Sequence, residues 1–165
     1  MFGKKHHYDI FLGGTNESTW RDTFIKRLGE VNPRIKYFNP VVENWTQECI
    51  ELENFVKDNT NYHVYVITPK QLGFYSIAEM VESTHMKNVK TFFFIKEEDV
   101  DENGTTIEWN PRVRNSLAAV SNLLISNGAI KAIAMDDLVF KISRDFDGTP
   151  KPRELNRSNR VVILP

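Results

Sequence analysis

One carboxylate in this chain stands where a carboxylate can do covalent chemistry. Glu79 closes the run Thr68-Pro69-Lys70-Gln71-Leu72-Gly73-Phe74-Tyr75-Ser76-Ile77-Ala78-Glu79, in which a β-prone segment bends at Gly73 into an amphipathic stretch. A carboxylate in the first turn of a helix, facing a cleft, can attack an electrophilic carbon or move a proton. The same residues have a purely local reading. Ser76-x-x-Glu79 matches a capping box, in which serine and glutamate serve only the helix terminus. Helical periodicity also sets Glu79 off the apolar stripe of Ile77, Met80, Val81 and Thr84. Around it, Gln71, Gly73, Tyr75 and Ser76 would border a bound molecule.

Two earlier loops carry the other candidates. Leu12-Gly13-Gly14-Thr15-Asn16 lets backbone N–H groups approach an anion, and the helix that follows adds its positive end. Thr15, Asn16 or Ser18 can donate to a phosphate or a ribose hydroxyl. The local alternative is a tight turn with Asn16 or Ser18 as helix N-cap. The loop is neither a Walker loop nor a G-x-G-x-x-G fingerprint, which argues against a nucleoside triphosphate or dinucleotide site. Arg21 follows in the first helix and can pair with a phosphate, with Glu17 or with Glu53. The second loop, Phe38-Asn39-Pro40-Val41-Val42-Glu43-Asn44-Trp45, offers the side-chain amide of Asn39. It also offers Trp45, either as a base-stacking ring or, as its spacing with Cys49 favours, as a core residue.

These loops need elements to hold them. Strands are predicted at Tyr8–Leu12, Ile35–Phe38, His63–Thr68, Val89–Ile95 and Ala129–Ala134. Helices are predicted at about Glu17–Gly29, Asn44–Lys57, Tyr75–Met86 and after Pro111, a residue suited to a first helical position. The second helix places Trp45, Cys49, Leu52 and Val56 on one stripe. Residues 136–143 read as helix or strand, Glu97–Thr106 as an acidic loop, and 145–165 as an irregular tail with a possible strand at Val161–Leu164. Apolar strands alternating with helices imply a parallel sheet covered on both faces. The expected fold is therefore α/β: a doubly wound, flavodoxin-like, five-stranded parallel sheet with right-handed crossovers. Ligands in such sheets bind beyond the carboxyl ends of the strands, where the three loops emerge.

Bulk properties fit one domain over 1–165 and exclude several classes. The 165 residues are 41% apolar and 26% charged, with a net charge of -1. No basic field exists for a nucleic-acid polymer. No apolar run spans a bilayer and no leader precedes a cleavage site. The single cysteine, Cys49, forms no internal disulfide and no cysteine-based zinc site, which makes a cytoplasmic location the expectation. The four histidines show no metal spacing shared with carboxylates, and no H-x-E…C-x-x-C or G-x-S-x-G pattern is present. No metal or cofactor is expected.

Taken together, Phe11-Leu12-Gly13-Gly14-Thr15, Trp20-Arg21, Phe38-Asn39-Pro40-Val41-Val42, Trp45, Tyr65-Val66-Ile67-Thr68-Pro69 and Gly73-x-Tyr75-Ser76-Ile77-Ala78-Glu79 resemble the nucleoside 2-deoxyribosyltransferase-like family. The resemblance covers roughly residues 8–95. It implies cleavage or transfer of the N-glycosidic bond of a 2′-deoxynucleoside or its 5′-monophosphate. In that family a glutamate early in the helix after the third strand is the nucleophile, and Glu79 matches it. A further acid near the sugar comes from the helix before that strand. Glu53 is the candidate here, although its pattern alone equally fits a solvated helix carboxylate. The resemblance also implies a homo-oligomer that completes its sites between subunits. One feature departs from the family: transferases carry an acid in the loop before the nucleophile, where this chain has Lys70, Gln71 and Gly73. A binding module on the same fold, holding a nucleotide without turnover, is the alternative expectation.

Overall fold

The computed structural model describes residues 7–42, 44 and 46–148. Within them the β-prone runs form β1 (Ile10–Gly14), β2 (Tyr37–Phe38), β3 (Tyr62–Ile67), β4 (Lys90–Ile95), β5 (Glu98–Val100), β6 (Thr106–Glu108) and β7 (Ile130–Lys131). The helices are α1 (Trp20–Val31), α2 (Gln47–Asn59), α3 (Phe74–Ser83), α4 (Pro111–Ser126) and α5 (Met135–Gly148). Five strands pair in parallel in the order β2-β1-β3-β4-β7, the doubly wound arrangement expected from the sequence. Its switch point lies between β1 and β3, where the chain winds away in both directions.

Strand alternation sends successive side chains to opposite faces and so builds two cores. Ile10, Leu12, Val64, Val66 and Phe92 pack with Trp20, Phe24 and Leu28 of α1 and Leu138, Val139 and Ile142 of α5. Phe11, Tyr65, Ile67 and Phe93 pack with Val56 of α2, Met80 of α3 and Leu117 and Leu124 of α4. Both faces of the sheet are thereby covered, which accounts for the unbroken burial of β1 and β3.

Several local expectations are corrected. Helix α1 begins at Trp20 rather than Glu17. Its N-cap, Thr19, makes no side-chain cap bond, while Ser18 Oγ accepts from the Trp20 N–H at 3.4 Å and donates to Asp99. Helix α2 begins at Gln47, with Thr46 accepting from the Cys49 N–H. The expected stripe of α2 is not buried as a unit. Val56 is buried, but Leu52 stands 42% exposed, because the helix turns Glu53 and Lys57 toward the sheet instead. Trp45 lies outside the described residues. Helix α3 is preceded by Gly73 in the left-handed region at φ 61, with no side-chain cap bond, so the capping-box reading of Ser76 and Glu79 does not hold. Part of the acidic loop is an antiparallel hairpin, β5 with β6. Residues 136–143 are helical and α5 runs on to Gly148, so the expected tail begins late; residues 149–165 lie outside the described residues.

The end of β1 shows why two glycines stand there. A Cβ on Gly13 would sit 2.3 Å from the Tyr65 ring. One on Gly14, at φ +120, would sit 2.1 Å from the Val66 carbonyl oxygen. The glycines allow β1 to press against β3, a packing role. Gly14→Ala is expected to destabilise the fold by about 3 kcal/mol or more through clash and strain. Gly29→Ala, in a helix with open space around it, should instead stabilise by roughly 0.5–1 kcal/mol. Urea unfolding of the two variants checks both signs.

Candidate active site

Helices α2 and α3 pack on the same face of the sheet and bring two carboxylates to one cation. The Lys57 ammonium lies 2.5 Å from Glu79 Oε1 and 3.2 Å from Glu53 Oε1. The Glu53–Lys57 contact is local, one helical turn apart. The Glu79 contact is tertiary and joins α2 to α3. Lys57 also lies 5.4 Å from the centre of the Phe11 ring, a cation–π distance. Glu79 itself is 8% exposed and does not point into open water. Helix α2 has Val56 as its only buried residue, a contribution of about 1.5–3 kcal/mol. Leaving a buried member of an ion pair without any partner costs about 3–5 kcal/mol, so the acid–base cluster matters to the seating of α2 as much as its apolar contact does.

Burial raises the Glu79 carboxyl above the usual carboxylate range. Lys57 pulls it down and Glu53 pushes it further up. Lys57 is desolvated too, yet Glu79 and Glu53 together hold its proton more firmly than usual. The ammonium therefore stays charged and opposes, in part, the upward push that burial exerts on the neighbouring carboxyl. Arg21, 4% exposed on α1, adds a second positive charge that both glutamates attract. Burial brings its guanidinium down to about 10, against the attraction of Glu53 and Glu79.

The sequence candidates divide by how their groups are used. Arg21 donates to the carbonyls of Thr15, at 2.8 Å, and Gly14, at 3.2 Å, rather than to Glu17 or directly to Glu53. Trp20 Nε1 donates to the same Thr15 carbonyl at 2.9 Å. The Thr15 hydroxyl accepts from the Thr68 N–H at 2.9 Å and so ties the first loop to the third. Gly13 and Gly14 are committed to packing. Asn39 accepts from the Val41 N–H at 3.2 Å, a turn within its own loop. Asn16, Gln71 and Tyr75 are exposed, while Gly73 and Ser76 are half-buried at the entry to α3. Glu53 and Glu79 are brought together; the others are spread along the strand ends and loops.

Two residues emerge that the sequence reading passed over. Lys57 had a signal, the i,i+4 spacing from Glu53, but nothing in one dimension links it to Glu79. Asp99 sat in the acidic loop, yet it is 6% exposed. Ser18 Oγ donates to it at 2.6 Å and Lys96 lies at 3.5 Å. Burial works to raise its carboxyl, but hydrogen bonds from Ser18, Thr68 and the Val100 N–H together with Lys96 hold it below the usual range. Asp99 thus fastens the β5–β6 hairpin to the first and third loops. A cavity of about 530 Å³ lies apart from the acid cluster, at the ends of β4 and β7. Among the described residues, no three His, Cys, Asp or Glu side chains group to hold a metal ion, and no helix is long and apolar enough to cross a membrane.

Residues 7–98, more than half of the chain, match the model of a family described as nucleoside 2-deoxyribosyltransferase like. The matched segment ends just before Asp99. A comparison with curated proteins gives no match.

His63, fully buried beneath α3, supplies a pH signature. Its Nε2 lies 3.0 Å from the Lys57 carbonyl, which can only accept, so Nε2 carries the proton and Nδ1 accepts from Ser83 Oγ at 2.9 Å. Burial lowers this imidazole to about 4, against about 6.5 in an unfolded chain. The unfolded state therefore gains a proton first. Stability from neutral His63 is present above about pH 6.5 and lost as pH falls toward 4, by roughly 3 kcal/mol in total. Glu79, raised by burial, works in the opposite sense. His63→Gln keeps hydrogen bonding but not titration. It should flatten the acid limb between pH 6.5 and 4 when urea midpoints are measured against pH; an unchanged slope would assign that limb to another group.

Proposed function

Because the chain belongs to the nucleoside 2-deoxyribosyltransferase-like family, we propose that it cleaves or transfers the N-glycosidic bond of a 2′-deoxynucleoside or its 5′-monophosphate, with Glu79 as nucleophile. The observation that carries this reading is the pair of carboxylates, Glu53 and Glu79, held by the one ammonium of Lys57. A displacement through a carboxylate needs that group ionised and fixed, and a buried glutamate is neither without a cation beside it.

The chemistry in this reading runs in two steps. A Glu79 carboxylate oxygen attacks the anomeric carbon as the bond to the base breaks. The bonding pair leaves with the base, whose ring nitrogen takes up a proton. The resulting glycosyl ester is then opened from the other side by water or by a second base, and two inversions retain configuration. Lys57 keeps the nucleophile charged, and Glu53 is the acid beside the sugar. Gly13, Gly14, Thr15 and Arg21 shape the loop at the sugar end, with Asn16, Asn39, Gly73, Tyr75 and Ser76 around it. Gln71 reads the base edge in place of the loop acid. Leu52, Phe55, Leu72, Phe74 and Tyr75 on α2 and the α3 entry are exposed, with Phe74 at 75%. Such apolar surface supports the homo-oligomer the family implies, and light scattering that returns a monomer would count against it.

A second reading is a binding module without turnover. It is favoured by the same ion pair, which occupies the Glu79 carboxylate, and by Lys70 and Gln71 standing where transferases have an acid. Incubation with a panel of deoxynucleosides and their monophosphates, with free base read by chromatography, separates the two. Turnover is expected in the native chain and should fall at least a thousandfold in Glu79→Gln, whose amide oxygen can still accept from Lys57 and preserve the fold. A deoxyribosyl mass adduct on Glu79 would establish the ester. Saturable binding by calorimetry with no base released by the native chain would select the binding module.

A further inference from the structure

A cavity of about 530 Å³ opens at the carboxyl ends of β4 and β7, on the far side of β4 from the Glu53–Lys57–Glu79 cluster. Its volume lies within the range of small-molecule sites, and the strand ends of a parallel sheet are where such sites form. Phe94, Trp109, Leu117, Ala118 and Ile133 give it apolar walls. Trp109 spends its one donor on the Lys96 carbonyl at 2.7 Å, so only its ring surface remains for an occupant. Ser121, 4% exposed, also lines the cavity, and its hydroxyl has no hydrogen-bond partner among the described residues. A buried hydroxyl left unpaired is costly, and this one belongs to a residue that lines the space an occupant would fill.

The charges around the cavity decide what that occupant is. Arg114 is paired with Glu97 and Glu108, and Lys96 with Asp99. Lys131 and Glu98, which make no ion pair among the described residues, also line the cavity and oppose each other in sign. No single charge dominates, so the site favours neither an anion nor a cation. We propose that this cavity is a second ligand site, separate from Glu79, for an uncharged planar heterocycle that stacks against the apolar walls and hydrogen-bonds Ser121.

The test is a ¹⁵N NMR titration of the full chain with adenine as the uncharged probe and benzoate and benzylamine as charged comparators. Adenine is expected to shift the Trp109 indole N–H saturably, the signal being assigned from Trp109→Phe. Ala118→Trp, at an exposed position, should fill the space and weaken adenine at least tenfold. Ser121→Ala should weaken it about fivefold, the worth of one hydrogen bond. Glu79→Gln should leave adenine affinity unchanged, whether or not the chain turns over nucleosides. The proposal is overturned by the absence of a saturable shift, by equal affinity in both cavity variants, by loss of binding in Glu79→Gln, or by tighter binding of either charged comparator.

Discussion

The contact between β1 and β3 sets the geometry of everything above it. Gly13 and Gly14 leave no Cβ where the Tyr65 ring and the Val66 carbonyl press in. The chain then turns immediately, and the Thr15 N–H donates to Val66 O at 3.0 Å. That position puts the Thr15 carbonyl where Trp20 and Arg21 both reach it and the Thr15 hydroxyl where the Thr68 N–H reaches it. The phenol of Tyr65 extends the chain of contacts to the Glu79 carbonyl at 3.4 Å. Steric closeness at two glycines thus fixes the first loop, the third loop and the backbone of the nucleophile candidate relative to one another.

On that frame the electrostatics are arranged to counter burial. Glu79 and Arg21 are charged groups at 8% and 4% exposure, positions where an isolated charge is strongly disfavoured. Lys57 answers the first directly. Arg21 is satisfied in part by two carbonyls and sits in the field of both glutamates, with its Nε left without a partner among the described residues. The charges are interdependent: Glu53 raises Glu79, Lys57 lowers it, and both glutamates hold the Lys57 proton.

Asp99 extends the frame sideways. It binds Ser18 and so attaches the β5–β6 hairpin to the β1–α1 loop, while Lys96 stands between it and the β4–β7 cavity. The two ends of the strand edge are therefore in physical contact through one buried carboxylate. The family match stops at residue 98, so Asp99 and the Trp109–Ile133 part of the cavity lining lie beyond it, while Ser18, Lys96 and the β4 end of the cavity lie within it.

The alternation of apolar strands with helices was enough, in sequence, to specify a doubly wound parallel sheet, because strand and helix periods leave different one-dimensional signatures. The same reading found the Glu79 segment and its resemblance to a deoxyribosyltransferase-like family. It misjudged α2, since periodicity reports which residues share a face but not how the helix is rolled; the sheet received Glu53 and Lys57 where Leu52 was expected. It left Ser76 and Glu79 open between a helix cap and a site, and the cap fails because the left-handed Gly73 takes the N-cap position three residues before Ser76. The meeting of Lys57 with Glu79 and of Ser18 with Asp99 spans 22 and 81 residues. Contacts of that separation are fixed by strand order and packing, which only the folded chain supplies.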